Sequence, residues 1–386
     1  MDIKDTAHPL DGAALSAFLD SLPSRPRLLG LGEATHRVKE LRALRNELFP
    51  HLVEHEGYRA IALEIDCLKA RIVDDHVTTG KGSLDEVMEQ GFSHGFGAMS
   101  GNRELVQWMR AYNEEHDEKL RFLGFDGPVE YWARSPREAL TGLYDLLHEP
   151  LPCTRETLEA LLGADERWED EESAMNPARS IGRSPEAVEL RIVADDLAAC
   201  LDMQAPRLSA EDRERAELYA RTATGLLRYH YWLADDSPAR WGRLSALRDA
   251  MMAANLVAIA ERHGPALVFS HNLHLQRHEA RMPFGEEVLR WSSAGAIAGT
   301  RLGDGYAFLA SALGTVSGDA PAPGTVEGLM AGLPWDRCLL DGAELATAVS
   351  GLSPRVSSDF AYFPLDPAHI AAADGVYFVR ETTAEM

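Results

Sequence analysis

The chain has 386 residues, 45% of them apolar and 26% charged. That is an ordinary globular composition, and it excludes wholesale disorder. Lys and Arg number 38 against 61 Asp and Glu, a formal charge of −23. A surface of that sign repels phosphate backbones and anionic lipid, so the expected partner is a small molecule and not nucleic acid or a membrane. The cysteines, Cys67, Cys153, Cys200 and Cys338, lie far apart and form no C-x-x-C pair, which argues against a disulfide framework or a zinc ribbon. The opening MDIKDTAHPLDG lacks the basic start and apolar run of a signal peptide. No apolar stretch approaches the roughly 18 residues of a membrane span. A cytoplasmic protein is expected.

In chain order, the first unit runs from Arg27 to Asp66. Arg27-Leu-Leu-Gly-Leu-Gly32 is a short apolar run ending in glycine, as a buried strand would be. Leu41, Leu44, Leu48 and Leu52 then recur at helical spacing, with Gly57 where a helix terminates. Tyr58-Arg-Ala-Ile-Ala-Leu63 is a second strand. Strand, helix, strand at this length is a right-handed unit with parallel strands. Leu120–Phe125 and Pro265–Phe269 are a third and a fourth strand, and Tyr306–Ala310 and Val376–Val379 are later candidates. The stretch from Ser135 to Gly264 contains no convincing strand. Ser135-Pro136, Ser209-x-x-Asp212 and Ser237-Pro238 mark helix starts in it, and Asp165–Glu172 is an acidic run expected on a solvated face. This division predicts a core in two parts, residues 1–134 and 265–386, with a helical insertion over 135–264.

In open parallel sheets, ligands bind outside the carboxyl ends of the strands. After the first strand come Glu33 and His36; the second ends in Glu64, the third in Asp126, and the fourth in His271 with His274 three residues on. Three carboxylates and three imidazoles thus converge on one edge. Glu64 directly follows a buried apolar strand, where an ionised carboxylate is costly without a partner. Arg45 falls within the arc of the helical leucines and is the expected partner.

Two short motifs compete with this set. Gly91-Phe-Ser93-His-Gly95 matches the G-x-S-x-G nucleophile elbow, and Ser93, Asp126 and His271 fall in the chain order of an α/β-hydrolase triad. An elbow needs an apolar strand before it, however, and Leu84–Gln90 is polar and helical. His51-Leu-Val-Glu54-His55 matches a zinc pattern, but it lies at the far end of the first helix, where the negative end of the helix dipole accounts for histidines. The clustered Glu and His side chains are themselves possible metal ligands. A fixed Arg45 charge competes with a cation, so no metal and no other cofactor is expected.

With these residues in place, the sequence is similar to the erythromycin esterase family. The likeness rests on Gly32-Glu33-Ala-Thr-His36, Arg45, Ala62-Leu63-Glu64, Trp108–Asn113, Gly124-Phe125-Asp126, Arg248–Met252 and Ser270-His271-Asn272-Leu-His274. The resemblance implies an α/β fold with a three-layer core, a mostly parallel sheet and a helical insertion. It also implies hydrolysis of a macrolide-like ester or lactone. In that scheme His36 activates water, while Glu33, Glu64, Arg45, His271 and His274 orient it and bind the reacting group. The chemistry agrees, because a histidine between carboxylates is held in one tautomer and made more basic, and Arg45 or a second imidazole suits an oxyanion. Asp126, Asn272, His94 and Arg37 complete the candidate set as substrate-binding residues. Arg37 and the segment His94–Met99 depart from the family's usual residues at the pocket, which bears on the substrate. The same site without water would be a lyase, cyclase or acyl transferase of secondary metabolism. The same fold without catalysis would be a haem- or small-molecule-binding protein.

Overall fold

The computed structural model describes residues 3–130, 133–359 and 361–385. Ten strands are formed in chain order: β1 His8–Pro9, β2 Leu28–Glu33, β3 Ala60–Asp66, β4 Arg121–Asp126, β5 Ala266–His271, β6 Glu279–Phe284, β7 Glu287–Ser292, β8 Tyr306–Val316, β9 Arg337–Asp341 and β10 Gly375–Thr382. Eight of them make one sheet in the order β1-β9-β10-β8-β2-β5-β3-β4, and β6 and β7 make a separate two-stranded ribbon. The pairs β10/β8, β8/β2, β2/β5 and β5/β3 are parallel, and β9 is antiparallel to both β1 and β10. The expected three-layer α/β core with a mostly parallel sheet is therefore present.

Burial explains why these segments are strands. Every residue of β2, β3 and β5 is buried, the pattern of parallel strands covered on both faces, which read as unbroken apolar runs. Helix Lys39–His55 connects β2 to β3 and buries Leu41, Leu44, Leu48, Phe49 and Leu52. It ends as expected: Glu56 N–H bonds the Leu52 carbonyl, and Gly57 takes a left-handed φ of 74° that a side chain would disfavour. β3 runs two residues past the predicted Leu63 and Glu64, so Glu64 lies inside the strand and Asp66 ends it. The hairpin strands and β9 carry no long apolar run and were not evident from the pattern. β1 has two exposed residues and pairs only through its backbone.

Contacts divide the chain into two compact units. One comprises the residues up to Phe125, Leu256–Arg281 and Ser292 onward; the other comprises Asp126–Asn255 and Met282–Trp291. The second unit is mostly helical, as expected of the insertion, although its limits differ from 135–264 and it also takes in most of the β6–β7 ribbon. Helix Arg240–His263 crosses the division, because its last turns join the first unit, where the Ala260 carbonyl accepts from Arg27 Nε. Ser209 caps helix Ala210–Leu233 by accepting from Asp212 N–H. Pro136 stands at the N-cap of helix Arg137–Leu146, and Ser135 Oγ accepts from Arg137 N–H. The acidic run is anchored by Trp168, which is buried and donates its indole N–H to the Leu162 carbonyl. Among the described residues, no helix is long and apolar enough to cross a membrane.

Candidate active site

The topology brings three carboxyl ends together. From β2 the chain moves to β3 on one side; from β5, which lies between them, it later reaches β8 on the other side of β2. A crevice opens outside the strand ends where neighbouring connections diverge in this way. The register places Glu33 opposite His271, and Leu63 opposite Phe269. Glu33, Glu64 and His271 therefore meet because three buried strands stop at about the same height.

His36 sits in the turn after β2 and is the partly open member, with its side chain 27% exposed. Its Nδ1 bonds Glu33 Oε1 at 2.8 Å. Its Nε2 stands 3.7 Å from Glu64 Oε1, too far for a direct hydrogen bond. Its ring lies 5.0 Å from His271 and 5.1 Å from Phe96. With Nδ1–H donated to a carboxylate, the imidazole is fixed in the tautomer that carries its lone pair on Nε2. Glu33 is almost fully buried, and among the described residues its Oε2 has no hydrogen-bond partner.

Glu64 is held by β5. Its Oε2 accepts from Ser270 Oγ at 2.7 Å and from His271 N–H at 3.0 Å. Its Oε1 is left facing His36 and, at 3.4 Å, His274 Nε2. Arg45 is thus not its ion-pair partner. Arg45 is fully buried, donates to Asn102 Oδ1, Asn46 Oδ1 and the Gly101 carbonyl, and stacks on Phe269 at 4.9 Å. Burial pushes its pKa down to about 9, opposed by the nearby Glu33 charge, so it stays protonated at neutral pH. Arg45 keeps its place at the site. It lines one small pocket, enclosing about 10 Å³, with Glu33, His36, Glu64 and Arg42, walled by Phe96, Met99 and Phe269.

His271 and His274 follow β5 on a single helical turn, Asn272–Leu275, which His271 caps through Nδ1 by accepting from Leu273 N–H at 3.3 Å. This one-turn helix was not expected after a strand. His271 Nε2 donates to the Ala361 carbonyl at 2.9 Å, so both ring nitrogens are engaged. Burial, with His36 second, pushes its pKa down to about 3. The imidazole is therefore neutral near pH 7 and held at both ring nitrogens.

The expected substrate-binding residues fare differently. Asn272 donates Nδ2 to the Ser311 carbonyl and accepts from Ser311 N–H. Its Oδ1 would lie 2.0 Å from any Cβ at position 32, so Gly32 is required there, and Asn272 ties the turn after β5 to β8. Asp126 is fully buried and paired with Arg248 at 2.7 Å. Arg37 is exposed, and its carbonyl accepts from Glu385 N–H. His94, at a φ of 56°, has its ring 5.4 Å from Phe96. None of these four lines the cavity.

The competing motifs have other partners. Ser93 is buried, accepts from Asp66 N–H at 2.9 Å, and follows helix Leu84–Gln90 with no strand before it. His51 Nε2 bonds Ser16 Oγ at 2.8 Å. Among the described residues no group of three His, Cys, Asp or Glu is arranged to hold a metal ion.

Three parts of the site had no signal in the sequence. Residues 359 and 361–363 border it: Asp359 accepts from Thr35 Oγ1, Phe363 N–H bonds the Ala34 carbonyl, and Ala361 holds His271. Tyr377 Oη donates to the Gly32 carbonyl beside Glu33. The third part is Arg42.

Fold and site together define an α/β protein with an imidazole set between two buried acidic side chains at a parallel-sheet crevice. The chain belongs to the erythromycin esterase family, whose model matches residues 53–382. Glu64, His271 and His274 fall inside that span, whereas Glu33, His36 and Arg45 precede it, so their assignment stands on geometry. The chain is 22% identical over 307 residues to erythromycin esterase type I of Escherichia coli, covering 74% of this chain and 72% of that one. It is 31% identical over 121 residues to the type II enzyme of the same organism, an alignment spanning only 28% of that relative. A solved Bacillus cereus protein shares the fold at a TM-score of 0.77 and 16% identity, over 99% of this chain and 97% of that one. An erythromycin esterase EreC mutant in its open conformation does so at 0.70 and 17%, over 98% and 96%.

Proposed function

We propose that this chain is a carboxylic ester hydrolase acting on a bulky, macrolide-like ester or lactone, with His36 as the base that activates water. The observation that carries this reading is the pair of distances at His36: 2.8 Å from Nδ1 to Glu33 and 3.7 Å from Nε2 to Glu64. Two groups 3.7 Å apart can both reach one water at about 2.8 Å, so His36 Nε2 and Glu64 Oε1 can share one water position. Nε2 takes the proton, the hydroxide adds to the carbonyl carbon, and the charge passes to the carbonyl oxygen. Collapse then breaks the bond to the alkoxide, which leaves with the proton from Nε2 as an alcohol. Arg45 offers fixed positive charge for the oxyanion in a desolvated cavity, and His274 lies within reach of Glu64 to help orient the water. The space these residues enclose is about 10 Å³, room for about one water. The bulk of a large lactone therefore stays outside it.

The test is turnover of erythromycin, related lactones and simple aryl esters in ¹⁸O-water. Hydrolysis places label in the carboxylic acid; an unlabelled product from a turned-over substrate assigns the site to a lyase, cyclase or acyl transferase. His36→Ala is expected to lower kcat by about 10³ with the fold intact, and normal turnover by that variant overturns the assignment.

A further inference from the structure

We propose that Arg42 is a positioning residue for His36, and that Glu385, from the C-terminal end of the chain, holds Arg42 in place. The proposal rests on His36 being the base. Arg42 lies one turn into helix Lys39–His55, and its side chain is only 3% exposed. Its guanidinium reaches three separate parts of the chain. Nη1 donates to the His36 carbonyl at 2.5 Å, Nε to the Ser100 carbonyl at 2.7 Å, and Nη2 to Glu385 Oε2. The Glu385 carboxylate closes the figure through Oε1, which accepts from Ser100 Oγ at 2.5 Å. Burial lowers the Arg42 pKa, and Glu33 and Glu40 oppose that shift. A buried cation needs a paired carboxylate, and the one it directly touches is Glu385.

What is held is the turn that carries the base. Besides the His36 carbonyl, Glu385 N–H bonds the Arg37 carbonyl at 2.7 Å, Ala384 bridges Val38 in antiparallel fashion, and Thr383 N–H bonds Glu40 Oε2 at 3.1 Å. Residues 383–385 thus run along the end of the five-residue turn between β2 and the helix. Ser100 belongs to the segment that supplies Phe96 and Met99 to the cavity wall, so one guanidinium sets the base and the facing wall together. Gly101 permits this approach: its φ is 85°, and a Cβ there would lie 3.0 Å from Arg42 Cβ. A lysine is a point charge and cannot serve three acceptors in a planar fork.

Displacing a catalytic group by an ångström costs up to about 10² in rate. Glu385→Ala is therefore expected to lower kcat about tenfold with KM within twofold, and Glu385→Asp, which keeps the charge, to recover most of the loss. Arg42→Lys should lose at least as much, and the double variant no more than the worse single. Protein labelled with ¹⁵N-histidine supplies a readout independent of turnover, with the His36 Nδ1–H resonance identified by its disappearance in His36→Ala. That resonance should shift in Glu385→Ala and return in Glu385→Asp. An unmoved resonance, or a wild-type kcat in Glu385→Ala, overturns the proposal, and Glu385 alone decides if Arg42→Lys fails to fold. A moved resonance in a protein whose His36→Ala variant stays active upholds the positioning and refutes the base. An unmoved one alongside an inactive His36→Ala does the reverse.

Discussion

Glu33→Gln isolates what the buried carboxylate does for His36. The change is isosteric and removes only charge. Glu33 Oε1 is 2.8 Å from His36 Nδ1, while Oε2 is buried without a hydrogen-bond partner among the described residues. The site thus holds an ionised oxygen that the fold itself leaves unsatisfied, and replacing it with a neutral amide should leave the melting temperature equal or higher. The rate should move the other way. In the ground state a hydrogen bond to a charged group is worth about 1.5–3 kcal/mol against about 0.5–1.5 for a neutral one, so about 1 kcal/mol of orientation is lost. In the transition state His36 becomes an imidazolium. Opposite unit charges about 4 Å apart interact by about 4 kcal/mol at the effective dielectric of protein sites, which sets the upper limit. Losses of about 1–4 kcal/mol correspond to about 10–10³ in rate, so kcat should fall about 10²-fold with little change in KM. Steady-state kinetics of Glu33→Gln, alone and in the His36→Ala background, measure this. The second change should add almost nothing once His36 is gone, since the two act as a unit. A kcat within twofold of wild type, or a full additive loss in the double variant, would refute the orienting role.

Three further outcomes are expected. A fluorophosphonate probe should leave Ser93 unlabelled, because its Oγ is buried and accepts from Asp66 N–H; stoichiometric labelling would restore the nucleophile-elbow reading. Activity should survive prolonged chelation, because one Glu64 oxygen is engaged by β5 and Arg45 already places positive charge in the cavity. Loss with a chelator and recovery with one divalent ion would make the imidazoles ligands. Acid should destabilise the fold early. Burial holds the His271 pKa down to about 3 and that of His230 to about 4, against 6.5 for the free group. The unfolded chain therefore binds those protons first, and stability present above about pH 6.5 is lost as pH falls toward the folded values. The slope is about 1.4 kcal/mol per pH unit for each proton. His271→Gln should flatten the pH dependence of the urea midpoint over that window, and an unchanged dependence would show that His271 is protonated in the fold.

The central strands and the ends from which they project their polar residues were legible in the chain because both are local features. A parallel strand covered on two faces must be an unbroken apolar run, so β2, β3 and β5 announce themselves. The first ionisable residue after such a run falls at or near the strand's carboxyl end, hence Glu33, Glu64 and His271. Ser93 and His51 could be set aside for a similar reason, since the segments before or around them have the wrong period.

Which of the converging groups touch one another was decided by tertiary structure alone. Arg45 falls in the leucine arc of its helix and was rightly expected to be buried, but the arc says nothing about the carbonyl of Gly101 or the side chain of Asn102 that satisfy it. Arg42 lies about 100° around the helix from Leu41, outside the arc of the four leucines and between the buried Phe49 and Val53. It is buried because segment 383–385 and Ser100 cover that flank, and neither is near it in the chain. Asn272 looks like a ligand residue after a strand and instead bonds both backbone groups of Ser311. The Ala361 carbonyl that fixes the His271 tautomer is a backbone atom, which any residue would supply. Periodicity reports which face of an element is covered. It carries no information about which distant oxygen completes a buried donor, and in this molecule that completion separates the proposed base at His36 from the imidazole at His271.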